Sequence, residues 1–159
     1  MSEAHGANAA VDREAWATFW LGGEMFALRV EDVQEVLQQN PLTPVPLAPD
    51  HVVGLLNLRG QIMPAVDLRR RLGFPPRAEG ADWFLLVVRA SEPPISVVVD
   101  GIGDVLVLPT KGWRPPPPTL ANERRRFVGA ICPIDAGVVL GLRVEALGFD
   151  GPEGRGGAR

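Results

Sequence analysis

Residues able to carry chemistry are few in this chain and poorly spaced for it. The 159-residue sequence holds two histidines, His5 and His51, and one cysteine, Cys132. Nucleophilic catalysis needs a Ser or Cys within reach of a base that is itself oriented by a third group. His5 lies in an Ala/Gly-rich amino-terminal stretch and His51 stands alone beside a proline-rich segment, so no such constellation is assembled by spacing. Two histidines and a cysteine cannot supply an ordinary zinc site without several carboxylates. Gly101-Ile102-Gly103 lacks the downstream glycine and the helix of a dinucleotide loop. The acidic residues are scattered, which leaves open only a carboxylate pair assembled by folding. Cys132, among apolar neighbours, reads as a small buried hydrophobe. Nothing here calls for a cofactor or a metal, and an enzyme is not expected. The residue that needs explaining is Arg59, a lone cation at the tip of an otherwise apolar hairpin.

The elements that position it follow from pattern. Residues 53–58 and 62–66 form two apolar strands around an Arg59-Gly60 turn, where glycine supplies a positive φ at no steric cost. A short basic helix closed by Gly73 follows. Its Arg69-Arg70-Arg71 run reads as a solvated face, with a contact to an acidic partner as the alternative. Upstream, residues 16–21 and 25–30 are strands joined by Gly22-Gly23-Glu24. Residues 31–37 are too short for periodicity to choose between a helical turn and a bent strand. Four prolines make residues 40–49 extended, and Asp50 suits the N-cap of a short helical turn over 51–53. Downstream, residues 83–89 and 95–100 are strands apolar enough for burial on both faces, with a turn at 91–94. Further strands are expected at 104–108, 127–134 and 138–142. A stiff proline linker at 109–118, a short helix at 120–126 and a helical turn at 144–147 complete the chain.

Composition narrows the class. The net charge of −3 gives no electrostatic reason to expect nucleic acid or an anionic membrane. No apolar run approaches the roughly 20 residues of a membrane span. Residues 1–10 lack a hydrophobic signal core, and a single cysteine makes a reducing cytoplasm the default. The expected organisation is a polar tail over 1–14, one domain over 15–149 and a flexible tail over 150–159.

The chain also resembles itself. Residues 27–37 lay over 96–106 without a gap, pairing Glu35 with Asp104 and Val36-Leu37 with Val105-Leu106. Residues 53–73 match 128–148 in length and in the order strand, turn, strand, helix. The shift is 69 residues in the first part and 75 in the second. Two copies of a five-strand unit are implied, each too small to be stable alone. Closing each into a barrel removes its edges, and packing the barrels together creates a third apolar layer. A single irregular β-sandwich is the alternative.

With these features in hand, the sequence resembles the CheW-like adaptor family of bacterial chemosensory systems. The resemblance is carried by Phe19-Trp-Leu-Gly-Gly-Glu-Met-Phe26, Val33-Gln-Glu-Val36, Val45-Pro46, Val53-Gly54, Asn57-Leu-Arg-Gly60, Pro64-Ala-Val-Asp-Leu-Arg69 and Val98-Val-Asp-Gly101. It implies an all-β fold with a few short helices: two five-stranded Src-homology-like barrels sharing a core. It also implies a non-enzymatic role, coupling the cytoplasmic tips of chemoreceptors to the regulatory domain of a CheA-type histidine kinase. The protein would be a monomer, or weakly self-associating within arrays. The family pattern puts Glu35 near Arg59, and the residues it implicates in receptor or kinase binding are Val33, Glu35, Gly54, Asn57, Arg59 and Ile62. Arg59 is then either a structural partner of Glu35 or a docking contact. Val33 and Ile62 are either groove or core, and Gly54 and Gly60 serve backbone geometry. One departure is visible: Leu140-Gly141-Leu142-Arg143 stands where the family has an acidic or polar residue before a Leu-rich helix. The competing functional class is a small-barrel module for single-stranded nucleic acid, which the absence of Tyr and the acidic balance disfavour.

Overall fold

The computed structural model describes residues 12–89 and 94–147. Ten strands fall into two five-stranded sheets. In chain order they are β1 (Arg13–Leu21), β2 (Glu24–Arg29), β3 (Val33–Gln38), β4 (Val52–Leu58), β5 (Gln61–Asp67), β6 (Phe84–Val88), β7 (Ile95–Val99), β8 (Gly101–Pro109), β9 (Val128–Ile134) and β10 (Gly137–Leu142). Two single-turn helices, α1 (Leu68–Arg71) and α2 (Asn122–Arg125), and three 3₁₀ turns join them. One sheet runs β8-β1-β2-β10-β9 and the other β3-β6-β7-β5-β4.

These two orders are the same order. Renaming each strand by its counterpart five places along the chain turns the first sheet into the second. Duplication is therefore a property of the pairing, and each sheet takes strands from both copies. The ladders fix the alignment. The pairs Phe19↔Ile102 and Ala17↔Val105 in one sheet correspond to Val88↔Val33 and Leu86↔Val36 in the other, a shift of 69. In the second part of the repeat, Val52↔Val66 and Gly54↔Ala65 correspond to Val128↔Leu142 and Ala130↔Gly141. That shift is 76 (128 less 52), one more than the ungapped overlay of residues 53–73 gives. A β-bulge lies after the first pair in each hairpin, at Val53 and at Gly129, 76 residues apart, so the bulge itself obeys the same shift. The parallel pairs Ala65↔Ser96 and Gly141↔Ala27 agree with both shifts.

Each sheet closes on itself in the same manner. After the edge strand β3 the chain crosses to the opposite edge, where Thr43 bridges Leu55 of β4; after β8, Arg114 bridges Ile131 of β9. The barrels have small separate interiors, Leu56, Met63, Leu85, Val87 and Val98 in one, Leu108, Cys132 and Val139 in the other. Between them lies the largest apolar layer. It is built from Phe19, Phe26 and Leu28 on one side and Val66, Leu86, Val97 and Val99 on the other, with Phe127 and Leu147 closing its margin. Strands β6 and β7 are buried along nearly their whole length because one face fills a barrel and the other fills this layer.

Several local expectations change. Strand β1 starts at Arg13, inside the stretch expected as tail, because Arg13–Ala17 pair with β8. Residues 30–37 divide into a 3₁₀ turn, Val30–Asp32, and a strand. No helix forms over 51–53: the His51 carbonyl accepts from Asp67 N–H at 2.8 Å, which draws the segment into the sheet. The strand expected at 104–108 begins at Gly101. Of the 91–94 turn, residues 91–93 lie outside the described residues. The departure at Arg143 has a visible result. In α1 the Asp67 side chain accepts from Arg69 N–H; its counterpart, by the shift of 76, is Arg143, which has no acceptor to offer. Val144–Leu147 accordingly forms a 3₁₀ turn, although Leu147 is still fully buried.

Candidate functional site

Strands β4 and β5 are joined by a two-residue loop, with Leu58 opposite Gln61. Both loop residues, Arg59 and Gly60, have positive φ, 53° and 86°. That is the type I′ geometry whose twist matches a hairpin. The left-handed conformation was expected at Gly60 alone. Arg59 shares it, at a cost of about 1 kcal/mol for an L-residue. Asn57 Oδ1 accepts from Gly60 N–H at 3.1 Å and pins the loop.

From this loop the guanidinium of Arg59 meets Glu35 in a two-pronged contact. Nη1 donates to Oε2 at 3.2 Å, and Nη2 donates to Oε1. Glu35 is on β3 and Arg59 follows the last residue of β4, and these strands are opposite edges of one sheet. Four strand spacings of about 4.8 Å would separate them by roughly 19 Å in a flat sheet. The ion pair thus spans the seam where the sheet curls shut. The guanidinium hydrogen bond holds the Glu35 carboxyl below the usual carboxylate range and raises the Arg59 pKa further. The Arg59 side chain is 68% exposed and that of Glu35 27%. A pair this open adds little to stability and is better seen as a shaped surface feature.

Its apolar surroundings differ in part from expectation. Ile62, opposite Asn57, is 56% exposed, and Val36, beside Glu35, is 46% exposed. Val33 is partly buried and packs against the shared core. A β-bulge between Val33 and Glu35 breaks the alternation: Val33 and Val36 pair with Val88 and Leu86, on one side of the sheet, and Glu35 pairs with Val87, on the other. Gly54 is buried where the chain crosses β4; a Cβ there would lie 2.9 Å from the Thr43 carbonyl oxygen and 3.0 Å from Leu42 Cβ. The hairpin thus brings Arg59 to Glu35, with Asn57 pinning the loop and Ile62 opposite Asn57, while Val33 packs into the shared layer and Gly54 serves the crossing of residues 42–43 over β4.

A second polar cluster was not foreseen. Of the three arginines read as a solvated face, Arg69 is not solvated: its side chain is 16% exposed against Asp100 at 20%. Arg69 Nε donates to both Asp100 oxygens at 2.9 and 3.1 Å and Nη2 donates at 2.7 Å. Arg77 Nε adds 2.9 Å, and Gly22 N–H of the β1–β2 turn adds 2.8 Å. Burial alone would raise the Asp100 pKa, but the hydrogen bonds from Arg69, Gly22 and Arg77 bring it below the ordinary value. Asp100 sits where the chain leaves one sheet at Val99 and enters the other at Gly101, so this cluster clamps the two barrels together. Sequence alone could not find it, because its members are scattered from residue 22 to residue 100. Elsewhere, burial pushes the Cys132 thiol up, away from thiolate chemistry. Among the described residues no group of three or more His, Cys, Asp or Glu is placed to hold a metal, and no helix is long and apolar enough to cross a membrane.

Comparison with known proteins agrees with this architecture. Residues 16–148 match the family model described as CheW-like domain. The chain is 30% identical over 136 residues to a probable chemotaxis protein CheW of Rhizobium etli, covering 86% of this chain and 87% of that one. It is 33% identical over 116 residues to chemotaxis protein CheW of Klebsiella aerogenes, covering 71% and 70%. Among solved structures, scaffolding protein TtCheW of Thermoanaerobacter tengcongensis superposes with a TM-score of 0.76 at 28% identity, covering 84% of this chain and 91% of that one. The duplicated, interleaved barrels and the matched span lead to one conclusion: this chain belongs to the CheW-like domain family of chemotaxis scaffold proteins.

Proposed function

We propose that this protein is a non-catalytic coupling scaffold that joins the cytoplasmic tips of chemoreceptors to a CheA-type histidine kinase, acting in the cytoplasm at membrane-attached receptor arrays. The observation that carries this reading is the Glu35–Arg59 pair across the barrel seam, with Ile62 exposed on the same hairpin and Val36 exposed on β3. A chemoreceptor tip is helical, and a helix docks by laying an apolar stripe against exposed aliphatic side chains while a fixed polar pair sets its register. The pair is poor as a stabiliser and good as a template, since a two-pronged arginine–carboxylate contact fixes geometry more than it adds energy. Arg59 acts mainly through Glu35, which it orients, and secondarily as a contact.

The test is co-sedimentation of the purified protein with receptor signalling-domain fragments and kinase, with kinase activity as a second readout. Arg59→Ala and Ile62→Asp should reduce receptor-dependent sedimentation and kinase stimulation while leaving the thermal midpoint nearly unchanged. Undiminished coupling in both variants would overturn this assignment of the surface. A salt-dependent gel shift with single-stranded oligonucleotides, expected to be negative, separates the nucleic-acid alternative.

A further inference from the structure

The duplication sets two corners of the molecule in equivalent positions, and they carry opposite charge. At the first, the chain enters β4 through Asp50 and His51 and leaves β5 at Asp67, whose N–H meets the His51 carbonyl at 2.8 Å. At the second, it enters β9 through Arg126 and Phe127 and leaves β10 at Arg143, whose N–H meets the Phe127 carbonyl, also at 2.8 Å. The shift of 76 that aligns the hairpins converts Asp50 to Arg126 and Asp67 to Arg143.

The first corner is balanced, since Asp67 faces Arg77 at 3.5 Å and Arg70 at 4.0 Å. The second is not. Arg125, Arg126 and Arg143, with Asn122, line an open cleft of about 420 Å³. Among the described residues none of these three arginines is ion-paired, whereas Arg29, Arg59, Arg69, Arg77 and Arg124 all are. The guanidiniums are held in place without being neutralised. Arg125 Nη2 donates to the carbonyls of Pro117 and Leu120 at 2.9 and 3.3 Å, and Arg143 Nη2 donates to that of Arg125 at 3.3 Å. The Arg126 guanidinium lies 5.2 Å from the centre of the Phe127 ring. Most of the five donors that each fork carries are left unused by the protein.

We propose that this cleft is a docking site for an acidic peptide segment, two or more Asp or Glu side chains presented together by a partner protein. Three fixed forks match carboxylates by paired parallel hydrogen bonds. No aromatic residue lines the cleft to stack a nucleobase. Extended polyanions are disfavoured because the chain as a whole carries 19 acidic residues against 16 basic ones. A single small anion in so open a cleft would be screened by solvent, whereas a linked set of carboxylates engages several forks at once. The assignment uses none of the residues of the Glu35–Arg59 surface and stands or falls separately from it.

The experiment is calorimetric titration of the intact protein with an N-acetylated hexaglutamate peptide at low ionic strength, with pyrophosphate, a single-stranded oligonucleotide and anionic lipid vesicles as parallel ligands. Saturable binding of the peptide is expected, weakened tenfold or more by Arg126→Glu or Arg143→Glu and weakened less by Arg143→Lys, which keeps the charge but not the fork. Arg59→Ala should leave it unchanged, and circular dichroism should show both reversal variants folded. The proposal is overturned if the peptide does not bind, if the arginine reversals leave binding intact, or if pyrophosphate, oligonucleotide or vesicles bind at the same arginines more tightly than the peptide.

Discussion

The sharpest test of the architecture is Asp100→Asn. The wild-type carboxylate accepts from Arg69, Arg77 and the Gly22 N–H through both oxygens. Asparagine keeps the shape but replaces one oxygen by an NH₂ group. Either orientation of the amide sets a donor against a donor, because Oδ1 faces both Nε atoms and Oδ2 faces Arg69 Nη2 and the Gly22 N–H. Arg69, with its side chain 16% exposed, also loses its paired carboxylate, and Arg77, 14% exposed, is left with Asp67 alone at 3.5 Å. Breaking one side of a buried ion pair costs about 3–5 kcal/mol, and the slight solvent access here favours the lower figure. A loss of about 3 kcal/mol is a large part of the 5–15 kcal/mol typical of a domain. For a chain of this size it lowers the thermal midpoint by roughly 6–12 °C. Urea unfolding is the suitable assay, since guanidinium chloride would screen the effect. The pH dependence has a definite sign. Asp100 titrates in the folded state below its unfolded value of about 3.9. Its contribution is therefore complete above that value and is lost as pH falls through the lower folded value. The gap between wild type and variant should be constant near neutrality and should close in acid. Asp104→Asn, at an exposed position, should change nothing. A variant within about 0.5 kcal/mol of wild type near neutrality, or a gap that persists unchanged into acid, would refute the clamp.

Three further outcomes follow from the same geometry. Arg59→Asn should relieve the strained φ of 53°, because asparagine tolerates that conformation; urea unfolding should show stability equal to or slightly above wild type, while receptor coupling falls. Gly54→Ala should destabilise by about 1–3 kcal/mol, since its Cβ would sit 2.9 Å from a backbone oxygen with no flexible group able to yield, and the thermal midpoint reads this directly. Replacing Arg143 by Asp should restore the acceptor that Asp67 provides in the first copy; amide hydrogen exchange in residues 144–147 should slow if the cap forms, and no change would show that the 3₁₀ turn has another cause.

Much of the fold was legible because most of it rests on short-range pattern. The Gly22-Gly23 and Arg59-Gly60 hairpins, the buried runs of β6 and β7, the duplication and the shared apolar layer all follow from alternation, turn residues and self-similarity. What failed depended on partners distant in sequence. Residues 51–53 have a good helix start, but the His51 carbonyl is claimed by Asp67 N–H. Arg69 has the look of a solvated helix residue until Asp100, 31 positions away, supplies its carboxylate. The matching Val-Gly pairs at 53–54 and 128–129 suggest a shift of 75, whereas the ladders align Val53 with Gly129 and Gly54 with Ala130, a shift of 76. The candidate site shows the same division. Asn57 and Arg59 are read from the turn they make, Glu35 rests on the family pattern, and the facing of Val36 was hidden by the bulge between Val33 and Glu35.

The corrected alignment changes what the duplication means. With a shift of 76, Arg59 corresponds to Asp135, and with a shift of 69, Glu35 corresponds to Asp104. The first seam holds a cation–anion pair; the equivalent positions of the second barrel are both acidic, so no such pair can form there. At the neighbouring corners the imbalance runs the other way: Asp50 and Asp67 in the first copy stand opposite Arg126 and Arg143 in the second. The two copies keep the same ladders, the same bulges and the same crossings, so these charge differences are not demanded by the fold. Pairs this open add little to stability, so stability alone does not choose between the arrangements of the two copies. Charges that the fold does not use are available to partners, and their placement at one seam and one far corner gives a scaffold two chemically distinct faces on a nearly symmetric frame.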